Sequence, residues 1–171
     1  MKTLLLALLF VSSAATALAA TRLEMETARD KAITAKNEVP ETKLALLEIF
    51  GVTDFARDLA IAARLISADP AMGDAAFAIG ENYRSTGQSQ YAAGCGKIAI
   101  ADQYFAAAEL LRNESFFTAA IAKYYVAEVG YVSACSDEFM SVEIYWWLAW
   151  ENFSLAITWY EIVPPEMPPD P

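Results

Sequence analysis

The sequence contains no histidine, and this absence limits the chemistry that the protein can perform. Histidine is the commonest general base near neutral pH, the commonest zinc ligand and the middle member of a Ser-His-Asp relay, so most hydrolase mechanisms are excluded. Cys95 and Cys135 are the only cysteines, and they do not form a Cys-x-x-Cys pair. We therefore predict no catalytic residue, no metal site and no cofactor.

Basic residues are few, and none follows Lys123. The chain has 12 Lys and Arg against 22 Asp and Glu, which gives a net charge of −10 at neutral pH. This charge opposes binding to nucleic acid and to anionic lipid, because both carry phosphates that the protein would have to neutralise. It favours a basic or neutral partner, although the same charge would serve equally to keep an exported protein in solution.

Long hydrophobic runs are also missing, except for two short stretches. The first follows Lys2 as Leu4–Val11 and leads to the small-residue sequence Ala17-Leu18-Ala19, so residues 1–19 have the three parts of a secretory signal peptide. We expect cleavage after Ala19 and a periplasmic or secreted mature chain. The second stretch, Ile144–Tyr160, is marginal in length, contains Glu151 and has acidic flanks, so we expect no membrane span in the mature chain.

Apolar residues recur at helical spacing almost throughout, and no alternating run is long enough to compete as a strand. We predict an all-α protein with a single domain over residues 20–163 and a Pro-rich tail at residues 164–171. The sparse glycines and prolines are read as helix ends. About seven helices result, approximately Arg22–Lys36, Pro40–Phe50, Thr53–Ser67, Pro70–Ser85, Lys97–Arg112, Ser115–Gly130 and a final helix that ends near Ile162.

Particular residues are expected to form the turns between these helices. Gly51 is predicted to take a left-handed C-cap conformation, Asp69 to cap the helix at Pro70, and Ser115 to cap the helix that follows it. A loop that contains Gly94 and Gly96 is expected before Lys97. A second connection is expected over Tyr131–Ser136.

Three Ala-centred segments begin at Ala56, Ala101 and Ala149, at intervals of 45 and 48 residues. Intervals of this size are typical of a tandem repeat of helical pairs. Two patterns resemble tetratricopeptide-type repeats. The first-helix pattern is Ile79-Gly80-Glu-Asn-Tyr83, and the second-helix pattern is Ala101, Phe105 and Ala108, repeated as Ala149, Phe153 and Ala156.

The resemblance implies tandem antiparallel helical hairpins stacked as a short right-handed α-solenoid. Its units would cover about residues 40–69, 70–113 and 114–163, with a period longer than the 34 residues of the family. In this alignment Cys95 and Cys135 fall in the long loops of consecutive units. Because an exported protein with two cysteines usually pairs them, we expect a structural disulfide between them.

The resemblance also implies a concave groove that receives an extended peptide. The residues equivalent to the groove lining include apolar, polar and charged side chains and are mostly neutral. They lack the Lys/Asn clamp with which some members of the family hold a C-terminal carboxylate. The groove candidates in this sequence are Phe77, Glu81, Arg84, Thr118 and Tyr125.

The final helix supplies a second candidate surface. Residues Trp146, Trp150, Phe153, Ile157 and Tyr160 recur at spacings of four and three, so this stripe is expected to be core. The outward stripe carries Glu143, Trp147 and Glu151. An indole among carboxylates suits recognition of a cation or a basic peptide, unless Trp147 packs under the first helix or the tail.

These observations favour an exported, non-enzymatic protein that binds another protein or peptide in the cell envelope. Two alternatives remain open at this point. One is a small carboxylate-based hydrolase of glycans that uses Glu143 or Glu151 as its acid or base. The other is an inhibitor or immunity-like protein whose acidic face blocks a basic enzyme site. The identity of the partner and the oligomeric state do not follow from the sequence.

Overall fold

The computed structural model describes residues 20–161, and every regular element in that range is helical. The proposed signal peptide and the Pro-rich tail therefore lie outside the described residues. Helices α3, π1 and α4 follow one another without a break, so the described chain has three long helical runs. The bounds are α1 Arg22–Ile66, α2 Ala71–Asn113, α3 Phe117–Ser133, a π-helix π1 Ala134–Phe139, and α4 Met140–Glu161.

The all-α prediction is confirmed, whereas the predicted count of about seven helices is not supported. Four of the expected interruptions do not exist. Pro40 and Gly51 lie inside α1, and the expected loop around Gly94 and Gly96 lies inside α2. The connection expected over Tyr131–Ser136 is also helical and contains the start of π1.

The chain forms two compact units, each built from a segment of all three helical runs. Within the described residues, unit 1 comprises residues 20–36 and 98–131, and unit 2 comprises residues 37–97 and 132–161. Unit 1 has a core around Met25, Ala32, Ala108, Ala120 and Tyr124. In unit 2 the first and third Ala-centred segments meet in one core cluster, formed by Ala56, Ala60, Ala63, Ala76, Ala149, Phe153, Ala156 and Tyr160.

Helix α1 begins with a capping box formed by Thr21 and Glu24. The Thr21 hydroxyl accepts a hydrogen bond from the Glu24 backbone N–H at 3.2 Å, and the Thr21 N–H donates to the Glu24 carboxylate at 2.7 Å. The bonds from the Thr21 backbone and then from its side chain lower the pKa of Glu24. This helix start is therefore specified locally, by residues that follow the expected cleavage site.

Four of the five glycines of α2 are contact points for aromatic side chains, not turn residues. A Cβ atom added at Gly80 would lie 2.7 Å from the Phe153 ring, and one added at Gly87 would lie 2.6 Å from the Trp146 ring. A Cβ atom at Gly73 would likewise meet the Tyr160 ring, and one at Gly94 would meet the Phe139 ring. Successive glycines are seven residues apart along α2. Their aromatic partners are also seven residues apart, but in the reverse order along the chain. A seven-residue repeat of this kind is typical of helices packed side by side.

The π-helix π1 adjusts the spacing of the aromatic residues along the third helical run. Tyr124 and Tyr131 are seven residues apart, and Phe139, Trp146 and Phe153 continue with the same interval, but the step from Tyr131 to Phe139 is eight residues. A π-helix has a wider turn than an α-helix and takes up one extra residue. The aromatic residues before and after π1 therefore both contact α2. Tyr131 donates a hydrogen bond to Asp102 at 2.6 Å, and Phe139 packs against Gly94.

In each unit, ion pairs between α1 and α2 recur at intervals of seven residues. In unit 1, Arg29 contacts Glu109 at 2.6 Å and Lys36 contacts Asp102 at 2.7 Å, so the partners step seven residues forward on α1 and seven back on α2. In unit 2, the pairs are Arg57 with Glu81 and Arg64 with Asp74, again one interval apart. These pairs fix an antiparallel register between the two helices within each unit.

The expected helix ends near Asp69 and Ser115 are present, although Ser115 has a different role from the predicted one. Asp69 accepts a hydrogen bond from the Ala71 N–H at 3.3 Å, which confirms its role as a cap at the start of α2. Ser115 adopts a φ of 65°, the left-handed conformation that usually requires glycine. Its N–H donates to the Arg112 carbonyl at 3.1 Å, while the Phe116 N–H donates to the Leu111 carbonyl at 2.9 Å. This pattern is a Schellman motif that ends α2.

The predicted disulfide is wrong, because Cys95 and Cys135 are both unpaired thiols. The prediction placed them in long interhelical loops, whereas Cys95 lies inside α2 and Cys135 lies inside π1. Each is partly buried. Their positions are therefore fixed by helix packing without a covalent link.

A carboxylate at the start of α2 should make unit 2 sensitive to acid. Asp74 accepts hydrogen bonds from Arg64 at 2.5 and 2.9 Å and from the Tyr160 hydroxyl at 2.8 Å, and these contacts lower its pKa to about 2. The ordinary value is 3.8, so the stabilisation is complete above about pH 4 and is lost as the pH falls toward 2. We expect Asp74→Asn to be less stable than the wild type at pH 6 and the difference to shrink between pH 4 and 2.

Thermal unfolding followed by circular dichroism at several pH values measures this difference. Asp30→Asn is a suitable control, because Asp30 is exposed and its carboxylate forms none of the ion pairs among the described residues. If the stability difference between wild type and Asp74→Asn stayed constant from pH 6 to 2, the assigned role of the Arg64 contact would be contradicted.

Candidate binding surface

Helix α1 exposes a broad apolar face in unit 2. Apart from Val52, which adjoins Gly51, its members recur at intervals of three and four residues, which places them on one side of the helix. Phe55 is 65% exposed and Ile66 is 85% exposed, although both are large apolar side chains. A Cβ atom at Gly51 would meet nothing within 4 Å, so the middle of this face is open. The α1 face consists of Leu44, Leu47, Gly51, Val52, Phe55, Leu59, Ala62 and Ile66.

Helix α4 exposes a second apolar row in the same unit. Met140, Ile144, Trp147 and Leu155 are exposed and recur with helical spacing. The sequence left open whether Trp147 is exposed or packed, and the structure places it 46% exposed. We call these four residues the α4 row.

A small cavity lies between the α1 face and the α4 row. Its volume is about 190 Å³, and its walls are largely apolar. Glu48 is the one acidic residue in the lining. The cavity is lined by Glu48, Ile49, Val52, Thr53, Trp147 and Trp150.

The two tryptophans of the cavity are held by the core beneath them. The Trp147 ring meets the Trp150 ring edge to face, with 5.3 Å between ring centroids and 88° between planes. Trp150 in turn packs against the core of unit 2. On the other wall, the buried Thr53 hydroxyl donates to the Trp146 carbonyl at 3.2 Å and ties α1 to α4. The cavity is therefore bounded by fixed elements.

The neighbouring residue Trp146 shows how this unit accommodates an arginine. The Arg84 guanidinium lies over the Trp146 ring, 5.5 Å from its centroid, and donates to Asp54 at 2.8 Å. Arginine, indole and carboxylate thus form a three-part contact within unit 2. Such contacts combine ring-face attraction with a charged hydrogen bond.

The exposed carboxylates near the cavity form no such pairs. In the part of the chain that the structure describes, the ion pairs include Arg57, Arg64, Arg84 and Lys97 of unit 2, each with a carboxylate partner. None of the ion pairs among residues 20–161 involves Glu48, Glu143 or Glu151, which are exposed. Unit 2 therefore exposes carboxylates, among them Glu48 of the cavity lining, that form no ion pair within the described residues.

The groove residues predicted from the sequence fall in different units. Phe77, Glu81 and Arg84 belong to unit 2, where the Phe77 ring lies 5.3 Å from the Phe153 ring and both charged residues pair with α1. Thr118 and Tyr125 belong to unit 1. A peptide-binding role for these five residues stays a prediction.

In unit 1, Thr118 is exposed and its hydroxyl accepts a hydrogen bond from the Ala20 N–H at 3.4 Å. Tyr125 is exposed on α3. On α4, the predicted residues Glu143, Trp147 and Glu151 are all exposed, and their binding role stays a prediction.

The α1 half of this surface was not predicted from the sequence. A helix was expected to end at Gly51, so the residues on either side were assigned to different helices. The signal was nevertheless present, because Leu44, Gly51, Phe55, Ala62 and Ile66 follow intervals of seven and four that hold only for one continuous helix. Trp150 was assigned to the core, and its edge contact with Trp147 depends on the side-chain conformations.

Two kinds of site are absent from the described part of the chain. No group of three or more Cys, Asp or Glu residues there could hold a metal ion. No helix within residues 20–161 is both long enough and apolar enough to cross a membrane. Comparisons with protein-family models, curated proteins and solved structures find no match to this chain.

Proposed function

We propose that this protein is an exported, non-catalytic adaptor that binds a basic protein segment in the cell envelope through the α1 face and the α4 row. The observation that carries the proposal is the extent of apolar surface exposed on α1, from Leu44 to Ile66. Contiguous apolar surface rimmed by polar residues is typical of sites that bind another protein. The proposal does not depend on the resemblance to tetratricopeptide-type repeats.

The charge around the surface favours a basic partner over a second copy of the chain. Glu48, Glu143 and Glu151 are exposed and unpaired within the described residues, and the sequence has no Lys or Arg after Lys123. Two copies that met through this surface would bring like charges together at a net charge of −10 each. A basic segment would neutralise the same carboxylates, since complementary charge assists association and selects partners.

Export is proposed on the sequence pattern of residues 1–19. The capping box of Thr21 and Glu24 agrees with cleavage after Ala19, because α1 then begins with residues that satisfy its first N–H groups. The mature chain would enter the envelope with its N-terminal helix start intact.

Affinity capture with matched variants tests the proposed function. The mature chain is immobilised, exposed to envelope extract and compared with Phe55→Ala/Leu59→Ala, which removes two exposed side chains from the α1 face. We expect retention of the specific partner to fall at least about tenfold, since a few central apolar residues dominate most interfaces. The control is Leu23→Ala/Leu110→Ala, which removes two exposed apolar side chains from unit 1.

Two outcomes would contradict the adaptor proposal. One is retention of the same partner by wild type and by Phe55→Ala/Leu59→Ala. The other is self-association of the pure wild-type chain in sedimentation experiments that the same substitutions abolish, because the face would then be a homo-oligomer interface.

A further inference from the structure

We propose that the cavity beside Trp147 binds an arginine side chain of the basic partner. The inference rests on the proposed function and adds the residue type that the partner must present. Three features of unit 2 carry it: the size and lining of the cavity, the unpaired Glu48 in that lining, and the arginine contact already made by Trp146.

The cavity suits the two chemically different parts of an arginine side chain. Ile49 and Val52 form apolar walls that would cover its methylene stem, as aliphatic stems of charged side chains often pack on apolar surface. The exposed Trp147 ring would lie against the planar guanidinium, and the Glu48 carboxylate would accept its hydrogen bonds. The lining is therefore mostly apolar, and Glu48 is its one charged residue.

The contact of Arg84 with Trp146 and Asp54 supports this assignment from within the same unit. There, the guanidinium lies over an indole ring and donates a hydrogen bond to a carboxylate. Trp147 and Glu48 offer the same pair of groups to solvent, but no arginine of the described chain pairs with Glu48. The partner would supply the missing third component.

Arginine is favoured over lysine by the geometry of the groups. Guanidinium is planar, stacks on aromatic rings and is less strongly hydrated than an ammonium group. An ammonium group would reach Glu48 but would lose more of its hydration at the apolar walls. We therefore expect arginine to bind more tightly than lysine at this site.

Small probes test the site without knowledge of the partner. The mature chain, labelled with ¹⁵N, is titrated with Nα-acetyl-arginine methylamide and with the corresponding citrulline compound, which has nearly the same shape without the charge. We expect the indole N–H signals of Trp147 and Trp150 to shift with arginine, and the affinity for citrulline to be at least about fivefold weaker. The lysine compound is expected to fall between the two.

Variants assign the effect to the cavity. We expect Trp147→Ala to weaken arginine binding at least about fivefold, and Glu48→Gln to weaken it about threefold, a loss that should be smaller at high salt. Glu161→Gln is the matched control, because it makes the same change of charge at an exposed position near the end of α4 and outside the cavity lining.

The result can overturn this inference without affecting the adaptor proposal. Equal binding of arginine and citrulline, or equal effects of Glu48→Gln and Glu161→Gln, would overturn it. If partner capture still depended on Phe55 and Leu59 but not on Trp147, the adaptor proposal would stand and the arginine site would fall. If the arginine compound bound as expected but partner capture did not depend on Phe55 and Leu59, the arginine site would stand and the adaptor proposal would fall.

Discussion

Gly80→Ala is expected to destabilise the protein by about 1–3 kcal/mol, although alanine is the better helix former. The added Cβ atom would lie 2.7 Å from Cε1 and 2.8 Å from Cδ1 of Phe153, distances at which either the ring or the helix must move. Phe153 is fully buried, so its ring has no free space into which to turn. The steric cost should therefore exceed the gain of about 1 kcal/mol from helix propensity.

The same substitution at Gly51 or Gly96 should have the opposite sign. Both glycines lie inside helices, and a Cβ atom at either position would meet nothing within 4 Å. Alanine there should raise the free energy of unfolding by about 0.5–1 kcal/mol. Urea unfolding of the three variants measures all the effects on one scale.

A rescue experiment assigns the loss at Gly80 to the Phe153 contact. Gly80→Ala combined with Phe153→Leu should cost less than the two single substitutions together, because a smaller side chain makes room for the new methyl group. Equal stability of Gly80→Ala and Gly51→Ala would contradict close packing between α2 and α4 in unit 2.

Phe153→Ala should cause the largest loss of stability, about 3–5 kcal/mol. Its ring is fully buried and packs with Phe77 and with the Ala-centred segments of α1 and α4. Removing it would leave a cavity that the alanines around it cannot fill. Urea or thermal unfolding followed by circular dichroism measures the change.

Phe55→Ala provides the matched control for this prediction. Phe55 is an aromatic residue of the same unit, but it lies on the exposed α1 face. Its truncation should change the stability by no more than about 0.5 kcal/mol. A large loss at Phe55 would show that the α1 face is covered within the protein itself, and that result would also count against its role in partner binding.

The helical class, several helix ends and part of the core could be read from the sequence. Asp69-Pro70 marked the start of α2 because a capping carboxylate and a proline act locally. On α4, the periodicity correctly indicated a buried stripe through Trp146, Phe153 and Tyr160. Trp147 was recognised as an outlier among carboxylates, and it is indeed exposed.

The errors came from residues whose local preference is outweighed by distant contacts. Gly51 and Pro40 disfavour a helix interior, yet α1 continues through both, with Val39 and Leu46 buried on either side of the proline. The cysteines illustrate the same limit. Their predicted pairing depended on loops that the continuous helices replace.

The sequence by itself determined that the chain is helical, acidic and without histidine chemistry, because composition and periodicity act residue by residue. Only the tertiary structure decided that four glycines of α2 receive aromatic rings and that α1 runs unbroken from Arg22 to Ile66. It also decided which surface stays open. Whether a glycine ends a helix or receives a ring depends on the side chain that faces it, and that side chain belongs to a segment far away in the sequence.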